Sequence, residues 1–282
     1  MALSPRWRAL FPGACPLIGV VHLPPLPGSP GWGGDLAAVE RFALADAAAY
    51  REAGADGLIV ENLGDAPYFP GPVPPETVAA MARLTRAVVA AAGDLPVGVN
   101  VLRNDALAAL AVAVAAGARF LRVNVLTGAT VTDQGLIEGC AAALLRRRRL
   151  LEAAEVLILA DVLVKHGAPL APLGLEEAVR DTLARGGADG VIVSGAGTGR
   201  PTAAKDLEQA RAEVARLGAG APVLVGSGVA PAVAPGLLGC CDGMIVGSAL
   251  KREGVLDRPV DPERVRALRR LLPQSPQRSP AP

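Results

Sequence analysis

The sequence predicts one α/β domain, a TIM barrel of eight parallel strands each followed by a helix. Three observations carry that prediction. Four segments resemble one another, "AGADGLIVEN", "AGARFLRVNV", "GGADGVIVSG" and "GCCDGMIVGS", and each passes from small residues or glycine into a short apolar strand. Four more apolar runs, "PLIGVVH", "PVGVNV", "VLILADV" and "PVLVGSG", alternate with them; three of these open on proline, which a strand tolerates at its first position. Helical patterns fill the intervals, and strict alternation of helices with strands of the doubly buried type implies parallel pairing through crossovers. A doubly wound open sheet is the alternative, but its glycine-rich turn belongs after the first strand, and here the glycine-rich turns come late.

Taken in order, residues 1–15 form an N-terminal extension, 16–272 the barrel, and 273–282, "PQSPQRSPAP", a disordered tail. The first strand runs into His22 and then the proline-rich "LPPLPGSP", which reads as a stiff loop rather than a mobile lid. Helical patterns cover 36–53, 75–92, 105–116, 135–153, 175–185 and 203–217, with a shorter one at 231–238 and a last one at 262–272.

Composition narrows the function. Of 282 residues 51% are apolar, enough for a large core, and a net charge of +1 argues against broad attraction to nucleic acid or acidic membranes. Aromatic residues make up only 3%, which leaves no stacking platform for single strands. Cys15, Cys140, Cys240 and Cys241 form no CxxC pair and read as small core residues of a reducing compartment, so a cytoplasmic location is expected. No apolar run approaches the roughly 20 residues of a membrane helix. Arg6 and Arg8 precede an apolar stretch as in a signal peptide, but Pro12 and Pro16 interrupt it.

In this fold the active site lies at the carboxyl ends of the strands. The first strand ends at His22, and the second at Glu61 and Asn62, with Asp65 beyond. The third offers Asn100, then Arg103, Asn104 and Asp105; the fourth Arg122 and Asn124, then Thr127 and Asp133. The fifth supplies Asp161, then Lys165 and His166, and the sixth ends at Ser194. Because residues two apart share a face, one parity points His22, Glu61, Asn100, Arg122 and Asn124 inward together, with Gly98 leaving room beside Arg122. Simpler roles compete. Asn104, Asp105 and Asp133 suit helix caps, and Arg122 with Asp161 suits a structural ion pair. Clustered buried polar groups still need partners, and a polar ligand supplies them.

The seventh strand ends in "VGSGV" and the eighth in "VGSAL" before a short helix. Glycine lets backbone N–H groups approach an anion, and the loops after strands seven and eight are the usual phosphate site of such barrels. Gly226, Ser227, Gly228, Gly247 and Ser248 are the expected phosphate-binding residues, and the loop "SGAGTGRP" after strand six is placed to close over the same group. The arginine run 146–149 circles its helix, so it reads as a solvated face or a subunit contact of a homo-oligomer.

The stretches "IGVVHLPPLPGSP…WGG", "DGLIVENLGDAPY", "VGVNVLRNDALAAL", "FLRVNVLTGATVTDQGLIEG", "ADVLVKH" and "DGMIVGSALKREG" resemble the BtpA family, which includes SgcQ-like proteins, over about residues 16–271. The resemblance implies a barrel of the ribulose-phosphate-binding type. It also implies an association with photosystem I biogenesis, peripheral to the thylakoid in some relatives, and carries over no catalytic residues. From the residues themselves an enzyme acting on a phosphorylated small molecule is expected, by isomerase, epimerase or aldolase-type chemistry. Asp161 and Glu61 are its acid–base candidates, Lys165 its oxyanion or Schiff-base candidate, and His22 a general acid or an anchor for the proline loop. Asn100, Asn124, Arg122 and Ser194 are expected to hold the substrate. No cofactor is required, though Glu61 and Asp161 permit a divalent metal. The competing reading is a non-catalytic assembly or regulatory factor.

Overall fold

All eight apolar runs become strands of one closed parallel barrel. The computed structural model describes residues 2–195 and 202–273. The strands are β1 (Leu17–His22), β2 (Gly57–Glu61), β3 (Val97–Asn100), β4 (Phe120–Val123), β5 (Ala129–Thr132), β6 (Gly135–Glu138), β7 (Leu157–Val162), β8 (Gly167–Pro169), β9 (Gly190–Val193), β10 (Val223–Val225) and β11 (Gly243–Val246). The barrel closes in the order β1, β2, β3, β4, β7, β9, β10, β11 and back to β1, while β5, β6 and β8 form a small antiparallel sheet outside it. Every residue of the barrel strands is buried, as parallel strands sandwiched between a packed interior and a helical shell must be.

The helices are α1 (Pro5–Leu10), α2 (Leu36–Glu52), α3 (Pro75–Ala92), α4 (Ala106–Ala116), α5 (Ala141–Leu150), α6 (Leu175–Arg180), α7 (Ala204–Leu217), α8 (Ala234–Leu237) and α9 (Pro262–Leu271). Asp35 and Asp105 cap α2 and α4 by accepting from Ala38 N and Ala108 N at 3.0 and 2.9 Å. Asn104 is no cap: its amide clamps Val125, donating to the carbonyl and accepting from the N–H.

The expected helix over 135–153 is corrected at its start. Residues 135–138 are β6, paired antiparallel with β5, and α5 begins only at Ala141. β-branched residues in "ATVT" and a turn at "DQG", where Gly135 takes φ +98°, favour a hairpin there. Asp133 therefore sits in the hairpin turn, not at a helix cap. The short helix expected after β11 is a single 3₁₀ turn, Ser248–Leu250.

The four look-alike segments have a physical basis. Asp56, Asp189 and Asp242 each precede a strand and bind the residue that opens or nearly opens the neighbouring one. In each pair the Asp N–H donates to the partner carbonyl and its carboxylate accepts from the same residue's N–H, with Leu17, Ile158 and Val223 as partners, at 2.7–2.9 Å. In the fourth segment Arg119 keeps only the backbone half, donating to Val97 O at 2.7 Å.

The interior holds Ile18, Val20, Ile59, Phe120, Leu157, Leu159, Ile192, Leu224 and Ile245, and Trp7 of α1 and Phe11 just after it pack into the same cluster. The rings of Trp7 and Phe11 lie 4.5 Å apart, and Phe11 meets Phe120 edge-on at 5.8 Å. The N-terminal extension is thus a plug for the amino-terminal end of the barrel. Gly98 opposes Phe120, not Arg122 as expected: a Cβ at Gly98 would stand 2.3 Å from the Phe120 ring. In the arginine run, Arg148 turns inward to Asp189 at 2.8 Å, while Arg146, Arg147 and Arg149 are exposed. All four cysteines are free thiols. No helix among the described residues is long and apolar enough to cross a membrane.

Candidate functional site

Along each barrel strand the inward side chains are apolar until the carboxyl end, where the chemistry changes. Continuing the inward parity of Val20, Ile59, Gly98, Leu159, Ile192, Leu224 and Ile245 gives His22, Glu61, Asn100, Asp161, Ser194, Gly226 and Gly247. The fourth strand adds Arg122 and, just past its end, Asn124. The register sets His22 beside Glu61, and Glu61 beside Asn100. One end of the barrel is therefore a ring of polar side chains and glycines.

Asp161 is the most heavily bonded member. Arg122 donates to both of its oxygens at 2.9 Å, Asn124 to Oδ2 at 2.9 Å and Ser194 to Oδ1 at 3.2 Å. Burial works against the Arg122 charge, but the Asp161 carboxylate outweighs it and holds the guanidinium pKa above its ordinary value. The ion pair that the sequence offered as a simpler role is present. Four donors on one carboxylate leave it a fixed anchor, and with Arg122 among them the Glu61–Asp161 pair makes a poor cation site. Among the described residues no cluster of three metal-ligating side chains forms.

Glu61 is less committed. Its Oε2 accepts from Asn100 at 2.6 Å, and His22 Nε2 stands 3.8 Å from Oε1, too far for a hydrogen bond. Burial drives the His22 pKa down to about 4 despite the opposing pull of Glu61, so the ring is neutral at pH 7. Its Nδ1 is buried and makes no hydrogen bond to any described residue. The ring does not anchor the proline loop. That loop is held by Leu23 N to Glu61 O, Gly64 N to Leu23 O and Leu26 N to Asp65, whose carboxylate also takes the Asn62 amide. Asn62 and Asp65 are thus structural.

Two joined cavities open on this ring. One, of about 220 Å³, is lined by His22, Glu61, Arg122 and Lys165 together with residues 226–230 and 247–249. The expected phosphate residues line it together. The glycines there have a packing cause as well: a Cβ at Gly247 would lie 2.5 Å from His22 Cε1, and one at Gly226 2.5 Å from Ser194 Oγ. Gly228 takes φ +73°, which L side chains rarely adopt. The second cavity, of about 540 Å³, is lined by Tyr68, Asn100, Arg103, Asn124, Asp133 and Gln134 among others. Both share Glu61, Leu63, Arg122 and Lys165. Lys165 is half-buried, and burial followed by repulsion from Arg122 lowers its pKa. Of the loop expected to close over the anion, 196–201 lie outside the described residues. Sequence reasoning placed Arg103 at the third strand's end without giving it a role and missed Tyr68, because neither lies on a barrel strand.

The chain is similar to known proteins in sequence and, more distantly, in fold. Residues 14–274 match the family model described as the BtpA family. The chain is 51% identical to the "Photosystem I biogenesis protein BtpA" of Synechocystis, over 89% of this chain and 86% of that protein. It is 47% identical to an uncharacterized protein of Pyrococcus furiosus, covering 91% and 94%. Among solved structures it is similar to Mycobacterium tuberculosis tryptophan synthase, with a TM-score of 0.61 at 21% identity over 98% of this chain and all of that one. An archaeal fructose 1,6-bisphosphate aldolase gives 0.56 at 16%, covering 95% and 97%. The N-(5'-phosphoribosyl)anthranilate isomerase of Pyrococcus furiosus gives 0.54 at 13%, covering 91% and 98%. At these identities the structures show the fold alone: a TIM barrel.

Proposed function

The chain belongs to the BtpA family, and from that premise and its barrel mouth we propose an enzyme acting on a phosphorylated small molecule. A sugar phosphate or phosphoribosyl compound fits, with isomerase, epimerase or aldolase-type chemistry. The observation that carries this reading is the switch at the strand ends from an apolar interior to a ring of buried polar groups beside a glycine-lined cavity. Buried polar groups need partners, and an inert barrel end would bury apolar ones. The names of two structural neighbours, a phosphoribosyl compound's isomerase and a bisphosphate's aldolase, agree with the substrate class.

In this reading the backbone around Gly226, Ser227, Gly228, Gly247 and Ser248 receives the phosphate. Glu61 moves the proton, because its Oε1 accepts no hydrogen bond from a described residue while Asn100 holds Oε2 in place. Neutral His22 faces the same space as a second proton carrier. Lys165, where the two cavities meet, sets a positive charge against a developing oxyanion. Asn124 and Ser194 act through Asp161, which keeps Arg122 in position.

The test pairs binding with turnover. In a thermal-shift panel, phosphorylated sugars are expected to raise the melting temperature while their dephosphorylated analogues do not. Glu61→Gln is expected to keep that shift and to lose about 10²–10⁴-fold in turnover of the compound that binds. A panel without any phosphate-dependent shift would overturn the reading. The name of the cyanobacterial relative favours a second one, an assembly factor. On it, Glu61→Gln leaves every activity unchanged and the barrel mouth stays indifferent to small anions.

A further inference from the structure

The larger cavity is lined by two cations, Arg103 and Lys165, that no carboxylate among the described residues meets at ion-pair distance. Arg103 is only 6% exposed, yet its guanidinium donates to a backbone carbonyl, Lys165 O at 2.8 Å, rather than to a carboxylate. Arg122, the third cation on the wall, is already spent on Asp161. The acidic groups facing this space are Glu61, tied to Asn100 on the floor, and Asp133, exposed at the hairpin turn; His166 adds a further basic group at the rim. A buried cation without a counter-charge is costly, and a planar guanidinium matches a carboxylate or a phosphate with two parallel donors. Beside these cations Asn124 Oδ1 is buried with no hydrogen-bond partner among the described residues, an acceptor that suits a substrate hydroxyl rather than the anion itself.

We propose that the larger cavity binds a second anionic group, so that the substrate is doubly anionic: a phosphate at the glycine-lined end and a carboxylate or second phosphate at Arg103 and Lys165. The inference rests on the phosphate reading above and adds to it. Lys165 then lies between the two anions, where the cavities join, and Glu61 faces the carbons that link them.

Isothermal titration of the full chain with matched pairs tests this. 6-Phosphogluconate and glucitol 6-phosphate differ only in a carboxylate, and ribulose 1,5-bisphosphate and ribulose 5-phosphate only in a phosphate. The doubly anionic member of at least one pair is expected to bind about ten-fold tighter or more, and which pair responds names the anion. Arg103→Gln is expected to erase that advantage while leaving monophosphate affinity within about two-fold, and Arg103→Lys to restore part of it. Should Arg103→Gln fail to fold, Arg103→Lys alone still reads the advantage as a partial loss. Equal affinity within both pairs, or an equal loss for both members in Arg103→Gln, overturns the second anion. The phosphate reading survives that result if the monophosphates bind and Ser248→Asp, which adds a like charge to the glycine-lined end, weakens them. If no member of either pair binds, both fall.

Discussion

His22 and Glu61 show what burial does to single residues. The His22 ring titrates near 6.5 when unfolded and about 4 when folded, because water is excluded from it. As pH falls, the unfolded chain therefore takes up the proton first. The stability this residue contributes is complete above pH 6.5 and is lost between 6.5 and about 4, to a total of about 3 kcal/mol. His22→Asn should flatten that part of the curve, and the difference between the two proteins in chemical denaturation across pH 4–7 measures it. Asp161 behaves differently. Asp161→Asn leaves Arg122 buried without its charge partner, so a loss of about 3–5 kcal/mol is expected, read as a lower denaturation midpoint. Lost turnover in that variant would report the anchor, whereas lost turnover in Glu61→Gln reports the proton.

Among elements, the barrel strands owe their alignment to small devices at their amino ends. Asp242 both donates to Val223 O and accepts from Val223 N, closing β11 against β10 where few ladder bonds exist. Asp242→Ala leaves the Val223 N–H without its acceptor and is expected to cost about 1–3 kcal/mol. Asp242→Asn keeps an oxygen there and should cost less, and urea unfolding of the two distinguishes a hydrogen-bond clamp from a charge effect with Arg211 at 3.7 Å. The repeat was legible as "ADG" and "CDG" because the same clamp recurs. Its function was not legible, since the acceptor and donor lie on a neighbouring strand up to 39 residues away. The hairpin of β5 and β6 escaped for the converse reason. "GLIEGCAAALL" carries apolar residues at a spacing that suits a helix, and only pairing with β5 decides its first four residues.

For the whole molecule, the barrel is closed at one end and open at the other. Trp7, 1% exposed, and Phe11 fill the amino-terminal end, so the interior is a packed core with a single polar mouth. Trp7→Ala is expected to lower stability by about 3–5 kcal/mol, with the melting temperature falling by roughly 10 °C and the far-ultraviolet spectrum unchanged below the transition. A binding site at the far end is left undisturbed, so ligand-induced shifts in the panel above should persist in this variant.

The sequence by itself determined the eight strands and their order, and that His22, Glu61, Asn100, Arg122 and Asn124 fall on one parity, because strand period is a local consequence of residue order. That this parity faces inward was settled by closure of the barrel. The sequence also determined the family, through motifs that run for ten residues and more. Only the tertiary structure decided which groups are spent and which are free. Asp161 and Arg122 sit 39 residues apart in the chain and neutralise each other, while Arg103 reaches the mouth from a loop and meets no carboxylate among the described residues. A charge's meaning depends on what stands within a few ångströms of it, and closure of the barrel sets those neighbours.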